Sequence, residues 1–239
     1  MERKGLGLGK EGTRTHKVNM GKSIYSSKQP AKSKGQEKMS SSVKYLKKIQ
    51  ALKKKLSQWE QFYAEEHTSE REAEWDLLET SQSQLCNEFA WAVPDERALK
   101  ILTKFSPLIE IGAGKGYWGK LLREKSVDIV CFDKYVHSKN SVDCWTKVLK
   151  GDANKLTSEK YAGRTLFLCY PDEQESLAIA CLERYGGEYV VHIGEMIHTG
   201  TMAGSPVAPF GRTTSADFQV ALAADFHCLL KASLQNRYT

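Results

Sequence analysis

No apolar run in these 239 residues approaches the length of a membrane span, and no two of the six cysteines have the C-x-x-C spacing of a zinc or redox site. Cys86, Cys131, Cys144, Cys169, Cys181 and Cys228 are scattered, two of them inside strand-like runs. That pattern predicts reduced, buried thiols in an intracellular protein, with no metal site and no disulfide framework. The front of the chain is short of acid. Residues 1–58 hold 16 Lys or Arg against 3 Asp or Glu, a net of +13, whereas the remainder holds 19 against 26, a net of −7. The overall charge of +6 therefore hides a basic front and an acidic body.

Residues 1–41 also lack any apolar periodicity and are rich in Gly, Lys, Ser and Thr, so they are expected to form a basic tail that is disordered when free. Such a tail either solubilises or draws the protein to nucleic acid or a ribonucleoprotein, because clustered lysines displace counterions from phosphates. Glu2, Glu11 and the many glycines argue against the amphipathic helix of a mitochondrial presequence. Cytoplasm or nucleus is the expected compartment, with mitochondria the alternative. Gly5-Leu6-Gly7-Leu8-Gly9-Lys10 resembles the glycine-rich second half of a G-patch over six residues.

From Ser42, a residue able to cap a helix, the pattern turns helical. Tyr45, Ile49, Leu52, Leu56, Trp59 and Tyr63 recur at spacings of four and three, and Trp75, Leu78, Gln82, Leu85 and Phe89 make a second stripe. Residues 42–92 thus read as a helical extension. It is expected to pack on the following domain, the alternative being a protein partner held through residues 42–89. Residues 93–239 read as an α/β domain. Asp95 is a candidate N-cap for a helix reaching Phe105, and strands at 108–111, 128–132, 165–169 and 188–193 alternate with helices at 117–124 and 174–185. This order predicts a mostly parallel, doubly wound sheet covered on both faces. A loop of about twenty residues follows Gly194, then a helix over 215–230. Lys231 to Thr239 leave room for one short strand at most.

Leu108-Ile109-Glu110-Ile111 runs directly into Gly112-Ala113-Gly114-Lys115-Gly116-Tyr117. Strand, glycine turn, helix is an arrangement that lets a nucleotide-like ligand approach the backbone, since glycine carries no Cβ. The dinucleotide fingerprint G-x-G-x-x-G would need glycine where Tyr117 stands, which disfavours a nicotinamide dehydrogenase. The run Glu110 to Gly116 instead resembles the first motif of the class I, Rossmann-like S-adenosylmethionine-dependent methyltransferases. The likeness extends from about Phe89 to Gly194, with further acids in Cys131-Phe132-Asp133 and Gly151-Asp152-Ala153.

The resemblance implies a further terminal strand with an antiparallel hairpin partner, for which Lys231 to Thr239 are too short, so the last sheet edge is expected to be truncated or completed by a partner. It also implies a cofactor, S-adenosylmethionine, and roles for particular residues. Gly112, Gly114 and Gly116 would let the turn close under the methionine part and ribose, and Glu110 would position the methionyl end or the turn's amides. Asp133 would accept from both ribose hydroxyls. Asp152 and the N–H of Ala153 would meet the adenine, and Trp91 or Phe89 would cover the adenine or the sulfonium. Amino-methylating members carry Asp or Asn, Pro-Pro and an aromatic at the end of the fourth strand. Here Cys169-Tyr170-Pro171-Asp172-Glu173 keeps one proline and shifts the acid. Tyr170, Pro171 and Asp172 are the candidate acceptor-orienting residues, with Glu195 or His198 as auxiliaries. The expected activity is methyl transfer to RNA or a nucleic-acid-associated protein. The alternative is an inactive methyltransferase-like scaffold in a ribonucleoprotein assembly.

Overall fold

The computed structural model describes residues 41–55, 68–136, 144–171, 176–196 and 213–234. Its centre is β1 (Leu108–Ile111), four consecutive buried residues, as a strand covered on both faces requires. β2 (Ile129–Asp133), β3 (Val148–Lys150), β4 (Thr165–Cys169) and β5 (Val190–Ile193) complete a five-stranded sheet in the order β3-β2-β1-β4-β5. Every pairing is parallel, with Leu108 opposite Ile129 on one side and Thr165 on the other. The strand order reverses direction at β1, between β2 and β4. That places the topological switch point, where open α/β sheets bind ligands, directly outside the glycine turn.

Side chains alternate across the strands and divide the interior in two. Leu108, Ile129, Cys131, Phe167 and Ile193 belong to one core, shared with α1 (Ser41–Lys55), α3 (Glu96–Leu102) and α4 (Tyr117–Glu124). Ile109, Ile111, Phe132, Leu166 and Leu168 belong to the other, covered by α5 (Leu177–Arg184) and α6 (Ala216–Asp225). The sheet is therefore α/β and doubly wound.

The helical extension joins the first core. Tyr45 and Ile49 of α1 are fully buried there, and Tyr45 stacks on Phe89 at 4.5 Å, next to Tyr117 and Trp145. Lys48 reaches Glu88 at 2.6 Å, just inside the end of α2 (Ser69–Glu88). Tyr45 and Ile49 of the α1 stripe are thus covered by this chain itself, while Leu52 is half-buried. Leu56, Trp59 and Tyr63 lie outside the described residues, as does the tail up to residue 40. Ser42 falls inside α1, which includes Ser41.

Several boundaries differ from the expectation, among them β2, one residue later than 128–132, and β5, which starts at Val190 rather than at 188. α3 ends at Leu102 and tightens to a 3₁₀ turn over Thr103–Phe105, ahead of Pro107. Val148–Lys150, not among the strands expected above, pairs with β2 as the edge strand. α6 stops at Asp225 rather than near 230: Phe226 turns extended and still packs on the core, while Leu229 and Leu230 are exposed. Helical spacing in the sequence cannot show where the surface beneath a helix ends. Among the described residues, β5 is the last strand, and no helix is long and apolar enough to cross a membrane.

Candidate functional site

The glycine turn is built by backbone geometry that an L-residue adopts reluctantly. Gly112, Gly114 and Gly116 have φ of +79°, +54° and +75°. They need glycine for different reasons. A Cβ on Gly112 would lie 2.9 Å from Leu177 Cδ2 of α5, and one on Gly116 would lie 2.7 Å from Val148 Cγ2. A Cβ on Gly114 would meet nothing within 4 Å, so Gly114 has open space over it.

Four of the turn's own N–H donors are engaged. The N–H groups of Gly112 and Ala113 both donate to the Phe132 carbonyl, at 2.9 and 3.0 Å, and that of Gly116 to the Ala113 carbonyl at 2.8 Å. Gly114 N–H donates to Asp133 Oδ2 at 2.8 Å, while Asp133 Oδ1 accepts from Tyr135 N–H. Asp133 therefore holds the turn to the end of β2. Each oxygen has accepted one hydrogen bond, and an ionised carboxylate offers about four acceptor positions.

Glu110 lies beneath α4, away from the open side of the turn. It is 2 % exposed, hydrogen-bonds the Cys131 thiol, and leaves Oε2 without a partner. Gly119 makes room for it, since a Cβ there would collide with Cys131 Sγ and approach Glu110 Oε2 to 3.5 Å. Burial raises the Glu110 pKa to about 8, against the smaller opposing influences of Cys131 and Arg123, so the carboxyl is mostly protonated at neutral pH. Burial likewise pushes the Cys131 and Cys169 thiols upward, and the charge of Glu110 adds to both. These are inert, protonated thiols rather than nucleophiles.

On the far side of the switch point, Tyr170 closes β4 in the left-handed region at φ +53°. For a residue with a Cβ that conformation costs on the order of 1–3 kcal/mol, and it persists only where surroundings enforce it. Here Tyr170 N–H donates to the Ile193 carbonyl at 2.7 Å, tying the ends of β4 and β5 together. The Tyr170 ring stacks on Trp91, with centroids 5.8 Å apart and planes 15° apart. Trp91 is 53 % exposed, whereas Phe89, its alternative as a covering ring, is buried in the aromatic core and reaches no ligand. Pro171 is buried. Asp172 and His198 lie outside the described residues.

Asp152 caps the 3₁₀ turn Ala153–Thr157, accepting from Asn154 N–H at 2.9 Å, and Ala153 is buried behind it. Glu195 is exposed, and its N–H donates to Thr213 Oγ1 at 2.6 Å. The structure thus brings together Gly112, Gly114, Asp133, Trp91 and Tyr170 along the carboxyl edge of the sheet, and leaves Glu110 in the core behind them. Two contributors were not anticipated. Gly119 accommodates Glu110, and the signal was a glycine inside an otherwise good helix. His192 lies on the opposite face against Phe218, with Nε2 unpartnered and its pKa lowered to about 4 by burial. Its signal was a polar residue in an otherwise apolar strand. Among the described residues no cluster of three or more His, Cys, Asp or Glu side chains is arranged to hold a metal.

No protein-family model matches the chain, and none of the curated proteins or solved structures compared with it does.

Proposed function

We propose that this chain is an S-adenosylmethionine-dependent methyltransferase of the class I type, acting on a nucleic acid or a protein associated with one. The observation that carries the reading is the state of the glycine turn. Its amides at 112, 113, 114 and 116 are consumed by Phe132, Asp133 and Ala113, so those four donors are not offered to a pyrophosphate, while the face over Gly114 is open. A cofactor bearing no phosphate and gripped through its ribose suits that turn better than a dinucleotide does.

The donor set fits the group. Asp133 keeps acceptor capacity on both oxygens for a vicinal diol, and the open space over Gly114 admits a ribose. When bound, the cofactor supplies a methyl group already activated by a sulfonium, so the protein's work is alignment and exclusion of water. Tyr170, fixed in place by Ile193, would orient the acceptor together with Asp172. Glu110, protonated and shielded, adds no full charge behind the turn at neutral pH.

The deciding measurement is calorimetric titration of S-adenosylmethionine into the intact protein. Micromolar binding that is lost in Asp133→Ala is expected, and absence of any heat of binding in the wild type overturns the reading. A second reading, an inactive scaffold of the same fold, draws support from Leu177, whose side chain packs against Gly112 where the methionine part would approach. Transfer of a labelled methyl group to cell extract, abolished by Tyr170→Phe together with Asp172→Ala, separates the two.

A further inference from the structure

The carboxyl edge carries more than a cofactor turn needs. Trp91 presents an exposed indole whose ring is already stacked on Tyr170, and Tyr135, directly after β2, is 62 % exposed. Between and beside these rings stand Lys115 in the glycine turn, Lys134 after β2 and Lys150 at the end of β3, all exposed. Because all five strands are parallel, their ends bring these residues to one rim. The rim also carries the carboxylates Asp133 and Asp152, each hydrogen-bonded to backbone N–H groups, and the exposed Glu195 after β5, so the lysines line only its β1–β3 part. Aromatic faces interleaved with lysines suit a chain of flat rings joined by phosphates. An acidic polypeptide would use the lysines but leave the indole without a purpose.

We infer that the Trp91–Tyr170 stack is a platform for an unpaired base of a single-stranded nucleic acid. The strand's phosphates run along the lysines of the carboxyl edge, and Trp91 faces the acceptor rather than the cofactor. The base extends the existing two-ring stack to three and is read by its π-face alone, so binding tolerates any base. The strained Tyr170 backbone holds the lower ring of the platform in position before a ligand arrives. As an acceptor site this rests on the methyltransferase reading, but the stacking itself does not require it.

The test is fluorescence anisotropy of a short labelled single-stranded RNA on the full-length chain, with a strand of the same length lacking its bases as control. Trp91→Ala should weaken the base-bearing strand by about tenfold or more, in line with the loss of one base–aromatic stack, and Trp91→Phe should recover most of it. The strand without bases should bind more weakly and be indifferent to Trp91→Ala. A deoxyribose strand behaving in the same way supports the platform equally and identifies DNA as a second ligand. Equal affinity of wild type and Trp91→Ala for the base-bearing strand overturns the inference. So does an equal loss on both strands, or displacement by polyglutamate as effective as by RNA. Loss of S-adenosylmethionine heat in Trp91→Ala with RNA affinity intact would place Trp91 on the cofactor side and overturn it too. If instead the wild type gives no such heat while the RNA pattern holds, the platform stands and the methyltransferase reading falls.

Discussion

The two faces of the sheet solve the same burial problem with different materials. The α4 face is aromatic: Tyr45, Phe89, Tyr117, Trp118 and Trp145 interlock there, and their polar tips find backbone carbonyls at Ala90, Ala92 and Glu88. The α5–α6 face is mainly aliphatic, built on Ile109, Ile111, Leu166, Leu168 and Leu182, with Phe132 and Phe218 as its buried rings. Among the described residues each face also buries one titratable group with an unpartnered atom, Glu110 on the first and His192 on the second. Burial moves an acid up and a base down, so both are neutral over a shared pH range.

The largest effect should come from removing the aromatic keystone. Tyr45→Ala deletes a fully buried ring, its stack on Phe89 and its hydrogen bond to Ala90, and should cost about 3–5 kcal/mol in urea unfolding. A truncation of Leu182, 7 % exposed on the other face, should cost about 2–3 kcal/mol, the low end for a leucine. If the two losses are equal, the aromatic face has no special weight.

The titration contrast comes next. Glu110 has a folded pKa near 8 against 4.5 in an unperturbed chain, so between those values the folded state binds the extra proton. Stability from this group is full below pH 4.5 and falls with rising pH by about 1.4 kcal/mol per unit until pH 8. His192 runs the other way. With a folded pKa near 4 against 6.5, its contribution is full above pH 6.5 and is lost as pH falls toward 4. From pH 4.5 to 6.5 the two slopes oppose each other, and above 6.5 only the Glu110 decline remains. Glu110→Gln should abolish that decline and expose a rise through the acidic range. His192→Phe should instead extend the decline down to pH 4.5, as followed by denaturant midpoints across pH.

The smallest effect is local to the turn. Gly114→Ala meets no neighbour, so its cost should be only the left-handed strain, about 1–2 kcal/mol by chemical denaturation. Gly116→Ala should cost more, because the added Cβ also pushes on Val148 and Thr146.

Much of this architecture is legible in the residues. β1, α4 and β4 fall where the apolar runs and the glycine turn place them, since a buried strand bounded by Pro107 or Gly112 has little freedom to shift. Asp95 caps α3 as its position before the helix predicts, accepting from Ala98 N–H. The site was legible as residue types but not as partners. Nothing local to Asp133 indicates that Gly114 occupies one of its oxygens, and Asp152 reads equally as an adenine acceptor or a cap until Asn154 is seen to use it. Phe89 and Trp91 are two residues apart and chemically alike. Only the fold shows that one is core and the other exposed, because Tyr45 comes from 44 residues upstream to cover Phe89. Long-range contacts of that kind leave no trace in local periodicity.

Three ring donors from three different stretches, Tyr45, Trp118 and Trp145, grip the carbonyls of Ala90, Ala92 and Glu88, the residues on either side of Trp91 and one just before. The backbone that presents the exposed indole is therefore clamped from below. A ligand that stacks on Trp91 meets a backbone at residues 88–92 already held in place, with one side chain to still. The consequence is kinetic. Binding to this indole should show no slow phase from rearrangement of residues 88–92, and ligands of different strength should differ chiefly in how long they stay.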